Sequence, residues 1–175
     1  MAVKRRPVAT LELCERILNF LTVSRNATTT MTEKTSLATP QITSQRSVEG
    51  VWRGGLRCDV AAQSFVIVVD EPKSVGGTDS GPQPTDLFLA SVASCFSLAV
   101  AYSARKQSVE LNSLSVTVTG TYDGPRFRAI NIVSRLGCNP AEVDKLVRAA
   151  ERICYVTNTL RSDVDIAVEA SAAST

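Results

Sequence analysis

The sequence has no histidine among its 175 residues. This absence excludes every mechanism in which the chain would have to supply an imidazole. Those mechanisms include Ser-His-Asp and Cys-His nucleophile pairs, zinc sites with histidine ligands and haem held by histidine. Cysteine is therefore the main candidate for chemistry.

The chain also has few aromatic residues, 5%, and little excess charge, with 19 basic and 17 acidic side chains. Proteins that bind nucleic acid usually present a clustered basic surface, often with aromatic platforms for the bases. The composition therefore argues against nucleic acid as a partner.

Cysteines are few, and none of them form a Cys-x-x-Cys pair; the five lie at positions 14, 58, 95, 138 and 154. An odd, scattered set does not suit a disulfide scaffold, so we expect a reducing, cytoplasmic location. Residues 1–21 begin with basic residues, but Glu12, Glu15 and Arg16 interrupt any apolar core of a signal peptide. We interpret this segment as a short amphipathic helix.

Residues 87–104 carry no charged side chain, over about the length of a membrane span. The segment contains several serines, among them Ser91, Ser94 and Ser97. A helix buried on most of its surface in a soluble protein gives the same pattern, and we favour that interpretation. No membrane partner is expected.

Composition divides the chain into two parts. Residues 22–47 are rich in Ser and Thr and can bury little, so 1–47 is interpreted as an N-terminal appendage of short helix plus linker. The main domain is expected at 48–175, where the hydrophobic residues can form a core.

Within the main domain, β-branched residues predict strands at 51–60 and 63–70. A loop rich in Gly and Pro follows at 73–84. Pro84 is suited to the first turn of a long helix that should end near Gln107.

The second half of the domain should begin with a hairpin. Alternating apolar residues at 114–118, a turn at 123–125 and a strand at 126–136 predict it. Asn139-Pro140 then starts a helix whose apolar residues recur at helical spacing up to Ile153. Alternating Val164, Ile166 and Val168 predict a closing strand. This order of elements favours an α+β fold with a largely antiparallel sheet.

Two cysteines occupy positions that draw attention. Cys95 lies midway along the predicted long helix, and Cys154 directly follows the predicted second helix. Each could be inert, because cysteine is among the most buried residue types. Their spacing alone does not pair them.

Three motifs together resemble the OsmC/Ohr family, the osmotically induced and organic-hydroperoxide-resistance proteins. They are Asp70-Glu71-Pro72, the run from Gly76 to Cys95, and the run from Ala150 to Leu160. The resemblance covers about residues 48–170 and excludes the N-terminal segment. It implies an OsmC-like, intertwined α+β homodimer with its active sites near the subunit interface.

The resemblance also implies roles for two residues. Cys95 corresponds to the peroxidatic thiolate and Cys154 to the resolving thiol of a peroxidase acting on small organic hydroperoxides. The implied reductant is a dithiol of the lipoyl type. Neither a metal nor an organic cofactor is implied.

A mid-helix thiol in apolar surroundings has a raised pKa and lies too far from the helix N-terminus to gain much from its dipole. A cation must therefore activate Cys95, and without histidine only Arg or Lys can do so. The family has an arginine in its N-terminal strand region, which makes Arg53 the first candidate, before Arg57 and Arg46. Each of the three could instead be an exposed strand residue.

One position departs from the best-studied family members. Their glutamate, ten residues before the first cysteine, pairs with the arginine, whereas this chain has Thr85 followed by Asp86. Asp86 points about 100° away around the helix. The chain therefore looks closer to the less characterised OsmC-like branch. Two alternatives to a peroxidase stay open: a non-catalytic dimer that binds a small hydrophobic ligand, and a slow disulfide-based redox sensor.

Overall fold

The computed structural model describes residues 45–172. The amphipathic helix expected at 1–21, most of the linker expected at 22–47 and Cys14 lie outside the described residues.

The domain begins with a three-stranded antiparallel sheet in the order β1-β2-β3, formed by Glu49–Gly54, Arg57–Ala62 and Phe65–Val69. The single strand predicted at 51–60 is wrong, because the chain reverses at Gly54 and Gly55. These residues have φ of 100° and 56°, a left-handed conformation that glycine adopts without strain. The two adjacent glycines therefore convert one predicted strand into a hairpin.

A loop with one 3-10 turn, Lys73–Val75, leads to the long helix α1, Pro84–Lys106. Proline occupies the first turn as predicted. We expected burial on most of the helix surface, but within one chain 33% of its most apolar window is buried. The buried residues, which include Val92, Phe96 and Val100, pack on one side, while Phe88 and Leu98 stay exposed. By length and composition alone, α1 could cross a membrane, but core helices of soluble proteins meet the same criterion.

Strands β4, Ser113–Asp123, and β5, Arg126–Gly137, form the predicted antiparallel hairpin. Helix α2, Pro140–Ile153, begins where Asn139 accepts a hydrogen bond at Oδ1 from the N–H of Ala141, 3.0 Å away. A six-residue helix that the sequence did not predict, α3, follows at Tyr155–Leu160.

The core forms where α1 packs against α2 and the β4-β5 hairpin. Its centre consists of residues from the helices and the segment after α2, listed here: Phe96, Ala99, Val100, Ala150 and Cys154. Leu114, Val116 and Ile132 cover it from the hairpin. The α+β class with antiparallel strands is thus confirmed, and the two cysteines of interest both lie in or beside this core.

The predicted closing strand is wrong for the chain taken singly. Residues 163–172 have no regular secondary structure, and Ile166 and Val168 are 86% and 88% exposed. Alternation marks which side chains could cover a core, but a strand also needs a hydrogen-bonded neighbour. No strand among the described residues pairs with this segment.

Candidate active site

The structure brings Cys95 and Cys154 together. Their sulfur atoms lie 3.4 Å apart, although the two residues are 59 positions apart in the sequence. Both are free thiols. The distance is within hydrogen-bonding range for sulfur and within easy reach of the 2.0–2.1 Å bond of a disulfide after a small side-chain movement, about 1.4 Å. The pair can therefore exchange between dithiol and disulfide.

Cys154 reaches this position because the helical path is broken there. Its φ of −72° and ψ of 106° are extended, so α2 ends and α3 starts in a new direction. Its N–H still donates to the carbonyl of Ala150 at 2.9 Å, and its carbonyl accepts from the N–H of Asn158 at 3.0 Å. The break is thus hydrogen-bonded on both sides, which fixes the Cys154 thiol against α1.

The two thiols differ in access to solvent. Cys154 is fully buried, whereas Cys95 is partly exposed. A molecule arriving from solvent therefore meets Cys95 first. This asymmetry suits a pair in which one sulfur reacts with a substrate and the other reacts only with its neighbour.

Burial raises the pKa of the Cys95 thiol above its ordinary value. The backbone N–H of Val156 opposes this by stabilising the thiolate, the nearby Cys154 thiol raises the pKa further, and the N–H of Tyr155 lowers it. The net effect is a raised pKa. Because a mostly protonated thiol is a poor nucleophile, an efficient reaction at Cys95 requires a further stabilising charge.

No arginine or lysine in the described range 45–172 donates a hydrogen bond to Cys95 in the single chain. Arg53 in β1 donates from Nε to Asp59 Oδ2 at 3.1 Å, and Arg57 in β2 donates to Oδ1 of the same carboxylate at 3.1 Å and 3.2 Å. Arg46 is exposed before β1. The candidate arginines therefore lie on the β1-β3 sheet or its approach, separately from the thiol pair.

Large apolar side chains flank the two cysteines along the chain. Phe88 lies two turns before Cys95 and thus on the same face of α1, and Leu98 lies one turn after it. Leu98 and Tyr155, the neighbour of Cys154, are each 63% exposed. Such a border favours a ligand with an alkyl or aryl group over a purely polar one.

Thr85, in the first turn of α1, contributes to packing. The Tyr122 hydroxyl donates to Thr85 Oγ1 at 3.1 Å, and Phe127 of β5 stacks on Phe88 with ring centroids 5.9 Å apart. These contacts hold the tip of the β4-β5 hairpin on the first turns of α1. Thr85 makes no ion pair, because its side chain carries no charge.

Asp70 organises the loop that leads into α1. It is 1% exposed and accepts hydrogen bonds from the Glu71 N–H and from the N–H and hydroxyl groups of both Thr78 and Ser80. The loop passes so close to the sheet that a Cβ on Gly81 would lie 2.2 Å from the Val68 carbonyl oxygen. The motif that begins at Asp70 thus fixes the path of the chain towards the cysteine helix.

We expect Asp70→Asn to lower the thermal unfolding midpoint by about 5–10 °C, since either orientation of the amide would turn its NH₂ towards at least one backbone N–H donor. The hydrogen bonds from Thr78 and Ser80 hold the pKa of Asp70 well below its usual range. The contribution of ionised Asp70 to the free energy of unfolding is therefore complete above the unfolded-state pKa of about 3.9. It declines as the pH falls further, towards the folded-state pKa. The variant should lose less stability than wild type over that acid range.

Thermal unfolding followed by circular dichroism across this pH range measures both effects. Asp79→Asn is the matched control, since the exposed Asp79 lies in the same loop and should leave the midpoint within about 1 °C. Equal midpoints for Asp70→Asn and Asp79→Asn would contradict the role given to Asp70.

The remaining described cysteines lie apart from this pair. Cys58 is in β2, and Cys138 follows β5 beside a cavity of about 320 Å³. Neither contacts another cysteine in the described part of the chain, and no group of three potential metal ligands occurs there.

Sequence reasoning missed two features of this region. The break at Cys154 that starts α3 gave no glycine or proline signal. Asp59 was overlooked as the partner of Arg53 and Arg57, although its position two residues after Arg57 on a strand places both on one face.

The main domain is similar in sequence to known proteins. A family model described as OsmC-like protein matches residues 77–169. The organic hydroperoxide resistance protein OhrB of Bacillus subtilis is 26% identical over 132 residues, which cover 73% of this chain and 96% of that protein. An uncharacterised protein of Acinetobacter baylyi is 28% identical over 103 residues, 56% of this chain and 72% of its own.

Solved structures show the same fold. An OsmC-like protein from Mycoplasma pneumoniae superposes with a TM-score of 0.60 at 20% identity, over 67% of this chain and 88% of its own. An organic hydroperoxide resistance protein from Elizabethkingia anophelis gives 0.51 at 20% identity, over 69% and 91%.

Proposed function

Since this chain belongs to the OsmC-like family, we propose that it is a thiol-dependent peroxidase that reduces small organic hydroperoxides. The observation that carries the proposal is the pair of free thiols 3.4 Å apart, one partly exposed and one buried. A relative named for organic hydroperoxide resistance and the apolar border of Cys95 support the substrate class.

In the first step the Cys95 thiolate attacks the distal oxygen of the hydroperoxide. The oxygen–oxygen bond breaks, the alkoxide takes up a proton and leaves as an alcohol, and the sulfur becomes a sulfenic acid. The sulfur is oxidised by two electrons and the peroxide is reduced by two. The alkyl part of the substrate would rest on the apolar side chains of Phe88, Leu98 and Tyr155.

In the second step Cys154 attacks the Cys95 sulfenic sulfur, a disulfide forms and water leaves. This step is intramolecular because both thiols belong to one chain, and it should be fast because the sulfurs lie close together. A dithiol, for which a lipoyl-type compound is the proposed reductant, then exchanges with the disulfide. It leaves as a cyclic disulfide and restores both thiols, so that no metal or organic cofactor takes part.

The proposed active form is a homodimer in which each chain covers apolar surface of the other. The β1-β3 sheet exposes Trp52 and Phe65 by 71% and 70%, and the tail after α3 exposes Ile166 and Val168. Apolar side chains so exposed, together with an unpaired segment of strand-like alternation, suit burial against a second copy.

The proposal predicts that one equivalent of t-butyl hydroperoxide lowers the intact mass of the reduced protein by two hydrogen atoms. The physical reason is that the sulfenic acid is captured by the adjacent thiol before a second peroxide arrives. Intact-mass spectrometry, with peptide mapping of a Cys95–Cys154 link, measures this. Steady-state consumption of cumene hydroperoxide with dihydrolipoamide then tests for turnover.

The outcomes separate the alternatives. An unchanged mass would contradict the peroxidase and favour the dimeric binding protein, for which the exposed apolar border offers a ligand surface. A Cys95–Cys154 link without steady-state turnover would favour a redox sensor.

A further inference from the structure

We propose that Asp59 is a positioning residue that holds Arg53 towards Cys95 of a second copy of the chain. The inference rests on the proposed function, in which a thiolate must form at Cys95. An aspartate on β2 would thus orient the activating arginine, because Thr85 has no charge with which to do so.

The three charged residues share one face of the β1-β3 sheet. In the antiparallel register Asp59 lies opposite Val51, so Arg53 is its diagonal neighbour, and Arg57 lies two residues before it on β2. The Asp59 side chain is 18% exposed, while those of Arg53 and Arg57 are 53% and 40% exposed. The carboxylate is thus largely covered and the guanidinium groups project outwards.

Asp59 uses one oxygen for each arginine. Arg53 is bound through Nε alone, at 3.1 Å, which fixes the guanidinium plane and leaves both terminal nitrogens without a partner among residues 45–172. Arg57 uses Nε and one terminal nitrogen. One carboxylate against two guanidinium groups leaves a single positive charge. The arrangement therefore presents Arg53 as an oriented donor to a singly charged anion.

Cys95, whose thiolate the proposed reaction requires, has no cationic donor among residues 45–172. Burial raises its pKa, and the titratable group that faces it from the segment between α2 and α3 is the Cys154 thiol. The core packed around the pair is otherwise apolar, including Leu114 and Val116 of β4. Within residues 45–172 of one chain no cation reaches the thiol, so the cation has to come from elsewhere.

A second copy is the source that the structure favours. The sheet carrying Arg53 exposes apolar side chains on both of its faces, Val51 and Val66 beside the arginines and Trp52 and Phe65 opposite, so it lacks a covering layer in one chain. Cys95 itself lies on the partly uncovered side of α1, near Leu98. Docking of these two surfaces would bury both and bring the oriented guanidinium to the thiol.

The test is the pH dependence of iodoacetamide alkylation at Cys95, followed by peptide mass spectrometry in the full-length protein. We expect Asp59→Asn to raise the apparent pKa of Cys95 by about one unit, and so to slow alkylation at neutral pH about tenfold. A purely Coulombic effect has the opposite sign, because removal of a negative charge would lower the pKa of a nearby thiol. The direction of the shift therefore distinguishes positioning from simple charge.

Arg53→Ala should produce a similar or larger rise, and adding Asp59→Asn to it should have no further effect. Asp123→Asn is the control, since Asp123 forms an exposed pair with Arg126 at 3.5 Å on the hairpin turn and should leave the profile unchanged. An Asp59→Asn profile that matches wild type or shifts downwards would overturn the proposal. So would an undiminished shift in the Arg53→Ala background.

Mixed dimers test the second copy. Co-expressed Cys95→Ser and Arg53→Ala chains, purified through two different tags, contain one intact Cys95 that faces the unaltered Arg53 of the other chain. We expect that cysteine to keep the wild-type alkylation profile, whereas the profile of the Arg53→Ala homodimer would place the arginine on the same chain and overturn the arrangement. Alkylation needs no peroxide, so these results stand apart from any failure of peroxidase turnover.

Discussion

Replacing Cys95 with serine is expected to abolish hydroperoxide reduction, with a loss of at least about 10³-fold in turnover. A serine hydroxyl is almost fully protonated at neutral pH and is a weak nucleophile towards an oxygen–oxygen bond. The substitution removes the one partly exposed thiol of the pair and leaves the buried Cys154 without access to substrate. Steady-state consumption of cumene hydroperoxide with dihydrolipoamide measures the loss.

Cys138→Ser is the matched control for this variant. Cys138 is also partly exposed, and its thiol donates a hydrogen bond to the carbonyl oxygen of Asn139, at 3.6 Å. It should retain activity within about twofold of wild type, because it lies away from the thiol pair. Turnover by Cys95→Ser equal to that of Cys138→Ser would show that Cys95 is not the reacting group.

The elements that the sequence predicted well are those specified by nearby residues. Helix α2 begins at the Asn139 cap and Pro140, and α1 begins at Pro84, because capping and proline geometry act within one turn. The motifs around Cys95 and Cys154 identified the OsmC/Ohr family, which the family match confirms. Their spacing alone could not place two sulfurs at 3.4 Å, since no local rule relates residues 59 positions apart.

The predictions about the closing strand, the burial of α1 and the activating arginine depend on groups that lie outside the nearby sequence. The alternation of Val164, Ile166 and Val168 describes a strand that has no neighbour in the single chain. The exposed side of α1 likewise lacks a covering layer, which is why the burial expected for this helix was too high. The arginine prediction stays open for the same reason, because Arg53 faces outwards from its sheet and is paired to Asp59.

Cys154→Ser is expected to have the second large effect: the proposed peroxidase should react once with hydroperoxide and then stop. The variant should still form a sulfenic acid at Cys95, because the attacking sulfur is unchanged. Serine is close to cysteine in size and fits the fully buried position, so the fold should be kept. The sulfenic acid, however, loses the thiol that lies 3.4 Å away.

Without that neighbour, the sulfenic acid has to be reduced by a thiol arriving from solution. Intramolecular attack by an aligned group corresponds to a very high effective concentration, so steady-state turnover at millimolar dithiol should fall at least about 100-fold. The first reaction with peroxide should keep a rate near that of wild type. Single-turnover kinetics measure this rate, and dimedone should trap the sulfenic acid as a stable adduct on the Cys95 peptide.

Cys138→Ser serves again as the control, and it should give a disulfide and little dimedone adduct. The decisive comparison is between the first and later turnovers of Cys154→Ser. Equal loss in both would mean that the buried thiol is needed for the first reaction as well, and would refute a role confined to resolution. A normal first turnover followed by arrest assigns the two thiols their separate roles, because only the second step requires two sulfur atoms.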